Sequence, residues 1–158
     1  MSAEPNGGGG RDHGALLQTL TALEVDYWHE VDLHHGREGH GFYVPDGVFV
    51  IGETRMQGHE AVRGFYAWRE ARGARTARHV VTNFRIDHAR EDEATLRCIL
   101  LLYAADGEPV LPSLPAIMIA DVTSICVRQD GRWLYRAHVL TPVFMGGVAP
   151  TIPPAAEP

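Results

Sequence analysis

The 158-residue chain has only two cysteines, Cys98 and Cys126. Both sit in apolar, strand-like runs, so the sequence predicts buried free thiols in a reducing cytoplasm rather than a disulfide framework. No apolar run reaches the roughly 18 residues that a membrane helix needs. The N-terminus lacks the basic-then-apolar pattern of a secretory signal. Positive charge is in deficit, with a formal net charge of −6, which argues against nucleic-acid partners. The densest basic run, Arg63 to Arg78, is interrupted by Glu70 and falls mostly on a predicted helix, where a solvated face explains it. There is also no phosphate-binding loop. The glycines at 7 to 10 follow no strand and read as linker.

The chain is long enough for one domain. Its ends, "MSAEPNGGGGRDHG" and "MGGVAPTIPPAAEP", are too rich in glycine and proline to pack a core. The expected division is a flexible tail over 1–13, a folded domain over 14–143 and a proline-rich tail over 144–158. Residues 14 to 35 read as a long helix, "DGVFVIGE" as a short strand and "GHEAVRGFYAWREAR" as a second helix. Three strand runs follow, "TARHVVTNFRIDHA", "EATLRCILLLYA" and "PAIMIADVTSICVRQ". The Asp130-Gly131 hairpin signal then leads into "RWLYRAHVLTPVF". Helices first and consecutive strands last predict an α+β fold, with helices on one face of a mostly antiparallel sheet. "LRCILLLY" is apolar at both parities, which predicts that both sheet faces are covered. The expectation is a homodimer formed through the outer face.

The stretch "YWHEVDLHHGREGH" comes close to the H-E-x-x-H zinc signature but breaks it: Leu33 stands four residues after His29. His29 and His34 fall about 140° apart on a helix, so they cannot share one ion. No metal is expected. On the helical wheel, Leu16, Leu20, Leu23, Tyr27 and Val31 form the apolar stripe. Asp26, His29 and Glu30 take the wet face. Asp32 lands on the stripe's margin between Trp28 and Val25, where a carboxylate is costly without a partner. Glu24 intrudes on the stripe as well. A partner for Asp32 is at hand in His79, which opens the apolar strand "HVVTNFRI". Alternation puts His79, Val81 and Asn83 on one face, and Val80, Phe84 and Ile86 on the other.

The order of these elements resembles the SnoaL-like branch of the nuclear-transport-factor-2-like superfamily, which includes polyketide cyclases, scytalone dehydratase and a bile acid dehydratase. The residues that carry the likeness are the helix ending near Asp32, "FYVPDGVFVIG", "GHEAVRGFY", "HVVTNFRI" and the closing "G-R-W". The resemblance implies a cone-shaped curved sheet wrapped around the long helix and enclosing a pocket. It implies that Asp32 and His79 are the catalytic acid–histidine pair, and that Tyr27 is a pocket tyrosine. The second polar group of the dehydratases would fall at Leu100 to Leu102. The expected substrate lining is Trp28, Phe65, Asn83, Leu100, Leu102, Met118, Arg136 and His138. The function implied is a cofactor-independent dehydratase, cyclase or isomerase of secondary metabolism, acting on a small apolar oxygenated substrate such as a polyketide, terpenoid or steroid. The alternatives are a non-catalytic ligand-binding or structural cone, and an epoxide-opening hydrolase or cyclase. The proline-rich tail is expected to close the pocket mouth.

Overall fold

A computed structural model of the protein describes residues 8–146. Its elements are α1 (Gly8–His34), a 3-10 turn (Gly39–Phe42), β1 (Tyr43–Ile51), β2 (Thr54–Gln57), α2 (Gly58–Ala71), β3 (Arg75–Ala89), β4 (Glu93–Asp106), β5 (Met118–Gln129) and β6 (Arg132–Met145). One six-stranded sheet has the order β2-β1-β6-β5-β4-β3. Every neighbouring pair is antiparallel except β1 with β6. This is the α+β, mostly antiparallel architecture that the element order predicts.

The boundaries differ at both ends. Helix α1 begins at Gly8, so the segment expected as a tail over 1–13 adds its last residues to the helix. Glycine is a poor helix former, but extending an established helix avoids the cost of nucleating one. Strand β6 runs to Met145, past the expected domain end at 143. The pocket-closing segment expected over 144–158 otherwise lies outside the described residues. Strand β2, which the sequence reading did not separate, pairs with β1 through Val48↔Gln57 to Ile51↔Thr54. The Asp130-Gly131 turn joins β5 to β6 with φ of 51° and 77°, as a tight hairpin of that sequence requires.

The core lies between α1 and the inner sheet face. Strand β4 turns Leu96, Cys98, Leu100 and Leu102 inward, where they are buried. Across the ladder Leu102 faces Met118 and Leu100 faces Ala120. Helix α1 supplies Leu20, Tyr27, Trp28 and Val31, and β1 and β6 add Tyr43, Phe49, Tyr135 and Leu140. Helix α2 packs against β1 and β2. On the opposite sheet face Ile99, Leu101, Ile119 and Ile125 are only half-buried, and no helix among the described residues lies over them.

Two β-bulges decide which side chains reach the interior. Between Thr82 and Arg85 the β3–β4 register shifts, and Asn83 takes a left-handed φ of 59°. The extra residue breaks the alternation. Asn83 is therefore exposed beside Arg85, Arg97 and Asp121 on the outer face, not beside His79 as the plain alternation predicted. Phe84 and Ile86 pack on the core instead. A second shift between Ile125 and Cys126 leaves Arg136 opposite no residue of β5. Arg136 points to solvent and pairs with Glu93 at 2.7 Å, so it does not line the interior. The same bulge turns both Tyr135 and His138 inward.

Candidate active site

Asp32 lies near the end of α1, where the helix passes edge strand β3. Its Oδ1 is 2.6 Å from His79 Nδ1, and its Oδ2 accepts the His79 backbone N–H at 2.8 Å. The side chains are 9% and 3% exposed. A carboxylate only accepts hydrogen bonds, so the Nδ1 of His79 carries the hydrogen. Its Nε2 keeps a free lone pair and has no partner among the described residues. The indole of Trp28 stacks on the imidazole, with centroids 4.2 Å apart and planes 16° off parallel. Burial pulls His79 below its ordinary value, against the hydrogen bond and charge of Asp32, which raise it; Arg69 and Arg75 lower it further. The ring is thus a neutral base near pH 7.

This pair forms part of the wall of a groove of about 240 Å³ between α1 and β3. The rest of the lining is Val25, Trp28, His29, Leu33, Arg78 and Val81. Val25 and Leu33 are about half exposed, at 46% and 50%. His29 was placed on the wet helix face by the wheel; it is exposed, yet it gives the groove a second imidazole. Asp32 is the one acidic residue in this lining.

Deeper in, the cone is filled. The cavity there measures only about 10 Å³, about the least that one water needs. Trp28, Phe65, Leu102 and Met118 line it, together with His79, Tyr66 and Arg69. Leu100 is buried in the core and is not among its walls. Tyr27 is also sealed. Its hydroxyl meets that of Tyr66 at 2.5 Å, so the tyrosine that borders the cavities is Tyr66, with Tyr27 behind it. Tyr66 and Arg69 also border a second small cavity of about 30 Å³ beside Asp32 and Arg75. Tyr66 and Arg69 lie three apart on α2, which brings them to one helix face. The sequence reading missed both because it took the α2 arginines as a solvated face.

Gly36 makes room for that tyrosine. Its φ is +69°, and a Cβ there would lie 2.5 Å from the Tyr66 ring.

A second carboxylate–histidine pair lies further along α1. Glu24 and His138 are both 0% exposed, with Oε1 and Nε2 3.0 Å apart. Trp28 donates its indole N–H to Glu24 Oε1 at 2.8 Å. Tyr135 and Ser124 donate to Oε2 at 2.7 and 3.3 Å. Burial raises the Glu24 carboxyl, but the charge of His138 and the hydrogen bonds from His138, Tyr135 and Trp28 outweigh it and leave it below its ordinary value. His138 Nδ1 meets the Tyr43 hydroxyl at 3.0 Å. His138, expected as a substrate contact, thus faces inward but is enclosed by protein.

The spacing Glu24–Trp28–Asp32 explains the arrangement. Residues four apart share a helix ridge. One ridge therefore carries two acids with an indole between them, and each acid meets a histidine from a different strand. Among the described residues no helix is long and apolar enough to cross a membrane.

Comparison with known proteins bears on this geometry. A family model described as a SnoaL-like domain matches residues 19–138, a span that contains both acid–histidine pairs. No curated protein matches the chain. Among solved structures, a candidate scytalone dehydratase from Novosphingobium aromaticivorans superposes with a TM-score of 0.75 at 18% identity, covering 94% of this chain and 99% of that one. A protein of unknown function from Mycobacterium tuberculosis gives 0.73 at 19% identity, covering 85% and 76%. ActVI-ORFA from Streptomyces coelicolor gives 0.69 at 15% identity, covering 81% and 98%. Identities this low establish a shared fold and no more.

Proposed function

The chain belongs to the SnoaL-like domain family of the nuclear-transport-factor-2-like superfamily, and from that premise we propose that it is a cofactor-independent acid–base enzyme, a dehydratase, cyclase or isomerase. Its substrate in this reading is a small, largely apolar oxygenated molecule such as a polyketide, terpenoid or steroid. The observation that carries the reading is the neutral His79, held by Asp32 through Nδ1 and left with a free Nε2 beside an apolar groove.

A dehydration would run as follows. Nε2 of His79 takes a proton from the carbon next to a carbonyl, and the C–H electron pair moves onto the carbonyl oxygen. Asp32 stabilises the imidazolium that forms, as the acid of a catalytic triad does. Collapse of the enolate expels the β-hydroxyl, which takes the proton back from Nε2 and leaves as water. The same base, without the expulsion step, serves isomerisation or ring closure. Epoxide opening has less support, because the groove offers a single acid. A structural cone without chemistry is favoured by one observation, the nearly filled interior.

Two further proposals accompany this reading. The uncovered sheet face carrying Ile99, Leu101, Ile119 and Ile125 is the surface for a second copy of the chain. The free, buried Cys98 and Cys126 suit a reducing cytoplasm.

The test is solvent deuterium exchange at the carbon next to the carbonyl in a panel of β-hydroxy ketones, read by mass spectrometry alongside the absorbance of the enone product. The expected result is exchange that depends on His79. Exchange in His79→Gln equal to that of the unaltered protein would remove the proposal.

A further inference from the structure

Arg78 stands where two hollows meet. One is the groove of about 240 Å³ between α1 and β3 that holds Asp32 and His79. The other, of about 200 Å³, lies where the loop over 107–117 passes the start of β3 and the end of β4. Its walls include Ala77, Tyr103 and Ala105 from the strands and Leu111, Leu114 and Pro115 from the loop. Arg78 is the one residue that the two linings share, and the one arginine or lysine in either. The mechanism above uses neither Arg78 nor the second hollow.

The second hollow has a fixed frame. Gly107 donates its N–H to the Ala74 carbonyl at 2.9 Å, and the Thr76 hydroxyl donates to the Gly107 carbonyl at 2.8 Å. At the loop's far end Ile117 donates to the Leu102 carbonyl at 2.7 Å. Within that frame the alanines leave space that larger side chains would take. Tyr103 and Leu114 are 41% and 57% exposed, so the hollow offers apolar surface that a ligand can cover.

The charge of Arg78 is uncompensated. Its Nη1 donates to the Ala77 carbonyl at 2.7 Å, and among the described residues it has no ion pair. Other arginines of the same sheet edge do: Arg75 pairs with Asp106, and Arg85 and Arg97 with Asp87. The one acid in either lining is Asp32, and His79 takes both of its oxygens.

We propose that the two hollows are one substrate site bridged by Arg78: the groove takes the reacting part of an apolar molecule beside His79, Arg78 binds a carboxylate on that molecule, and the second hollow takes a further apolar substituent. The proposal rests on the acid–base reading for the place of the reacting carbon. It narrows the substrate class to apolar oxygenated carboxylic acids with apolar parts on both sides of the acid group.

Size, access and charge support it. Small-molecule sites measure roughly 300–1,000 Å³; neither hollow reaches that range alone, and the two together do. Strand β3 is the edge of the sheet, so no further strand separates the hollows. A neutral molecule lying across both would strip water from a guanidinium and give nothing back, which is costly. A carboxylate replaces that water with two parallel N–H···O bonds to the planar fork. Apolar walls on either side make such a pair stronger than it is in open water. Arg78 therefore selects for the anion, and the walls select for the rest of the molecule.

The experiment is binding, so it does not depend on turnover. The full chain is titrated with anilinonaphthalene sulfonate, two aromatic groups with an anion between them, and with phenylnaphthylamine, the same skeleton without the charge. The sulfonate stands in for the carboxylate, and fluorescence reads both. The anion is expected to bind at least about tenfold tighter than the amine. Arg78→Met keeps the apolar stem and should remove most of that preference, whereas Arg78→Lys should keep part of it. Leu114→Ser, at an exposed position that folding does not depend on, should weaken both probes several-fold and leave their ratio unchanged. His79→Gln should also leave the ratio unchanged. Equal affinities, a preference that survives Arg78→Met, or Leu114→Ser without effect would each overturn the proposal. Binding that weakens as protein concentration rises would assign the second hollow to another copy of the chain and overturn it too. Anion-selective binding without any deuterium exchange would count against the acid–base reading and leave the Arg78 site standing.

Discussion

Asp32–His79 and Glu24–His138 are the same chemical pair in two settings on one helix. They lie eight residues apart on a single ridge of α1, and Trp28 touches both, stacking on one histidine and donating to the other pair's acid. The first pair sits at the seam between α1 and an edge strand, with one ring nitrogen free beside a groove. The second is closed on every side, and both its nitrogens are bonded. A carboxylate–histidine pair is therefore not in itself a catalytic signature. The free lone pair and its access to a cavity make the difference, and they come from the strand that supplies the histidine rather than from the acid.

The largest expected effect separates the two pairs by stability. Glu24→Ala leaves His138 buried opposite an empty space and three donors without their acceptor. Removing one member of a buried pair costs about 3–5 kcal/mol. Denaturant melts should show a loss of that size, whereas Asp32→Asn, at a seam near solvent, should lose far less. Equal losses would mean that both pairs are structural.

The next effect reverses the order. His79→Gln should lower turnover by about a hundredfold or more, the usual contribution of a positioned base, with little change in melting. His138→Gln should melt earlier and affect turnover less than His79→Gln. If the His138 variant is folded and as inactive as the His79 variant, the sealed pair holds the working base and the assignment is inverted.

How much of this was legible in the sequence differs between the pairs. Asp32 could be picked out as a carboxylate on an apolar margin, and His79 as a polar residue opening an apolar strand. Glu24 was visible as the same kind of intrusion, and His138 as an interior candidate. Nothing in periodicity joins them, because their contact depends on how β6 sits against α1 and on the bulge beside Arg136. The bulges also account for the misplaced Asn83 and Arg136. The Asn83 bulge left a local signal, since asparagine is among the few residues that tolerate a left-handed backbone. Tyr66 and Arg69 were hidden for another reason. Their helix carries charges of both signs, and charge on a helix face is most often solvated. The Tyr66 ring packs over Gly36, a contact that periodicity does not show.

A third effect tests that packing. Gly36→Ala places a methyl group at 2.5 Å from the Tyr66 ring and strains a φ of +69°. Strained backbone of this kind costs about 1–3 kcal/mol, and the ring must also move. The expected outcome is a loss of stability in that range, read in denaturant melts. A variant with unchanged stability would show that Tyr66 does not need its present place.

The smallest expected effect distinguishes the pairs along the pH axis. Both histidine and acid are lowered in the folded state, His79 from 6.5 and Glu24 from 4.5. Below the ordinary value of each group, the unfolded chain takes up a proton that the folded chain still refuses. Stability then falls with falling pH until the folded group is protonated too. The window for His79 opens just below pH 6.5 and that for Glu24 only below pH 4.5. As pH drops from 7 towards 5, the unaltered protein should therefore lose stability relative to His79→Gln, because the variant lacks the first window. They should then fall together at lower pH as Glu24 is protonated. The kcat/KM profile should show its acid limb at a midpoint below 6.5, where the free base is lost. A midpoint above 6.5 would mean that the charge of Asp32 outweighs the burial of the ring. His79 would then stand protonated at neutral pH and act first as an acid.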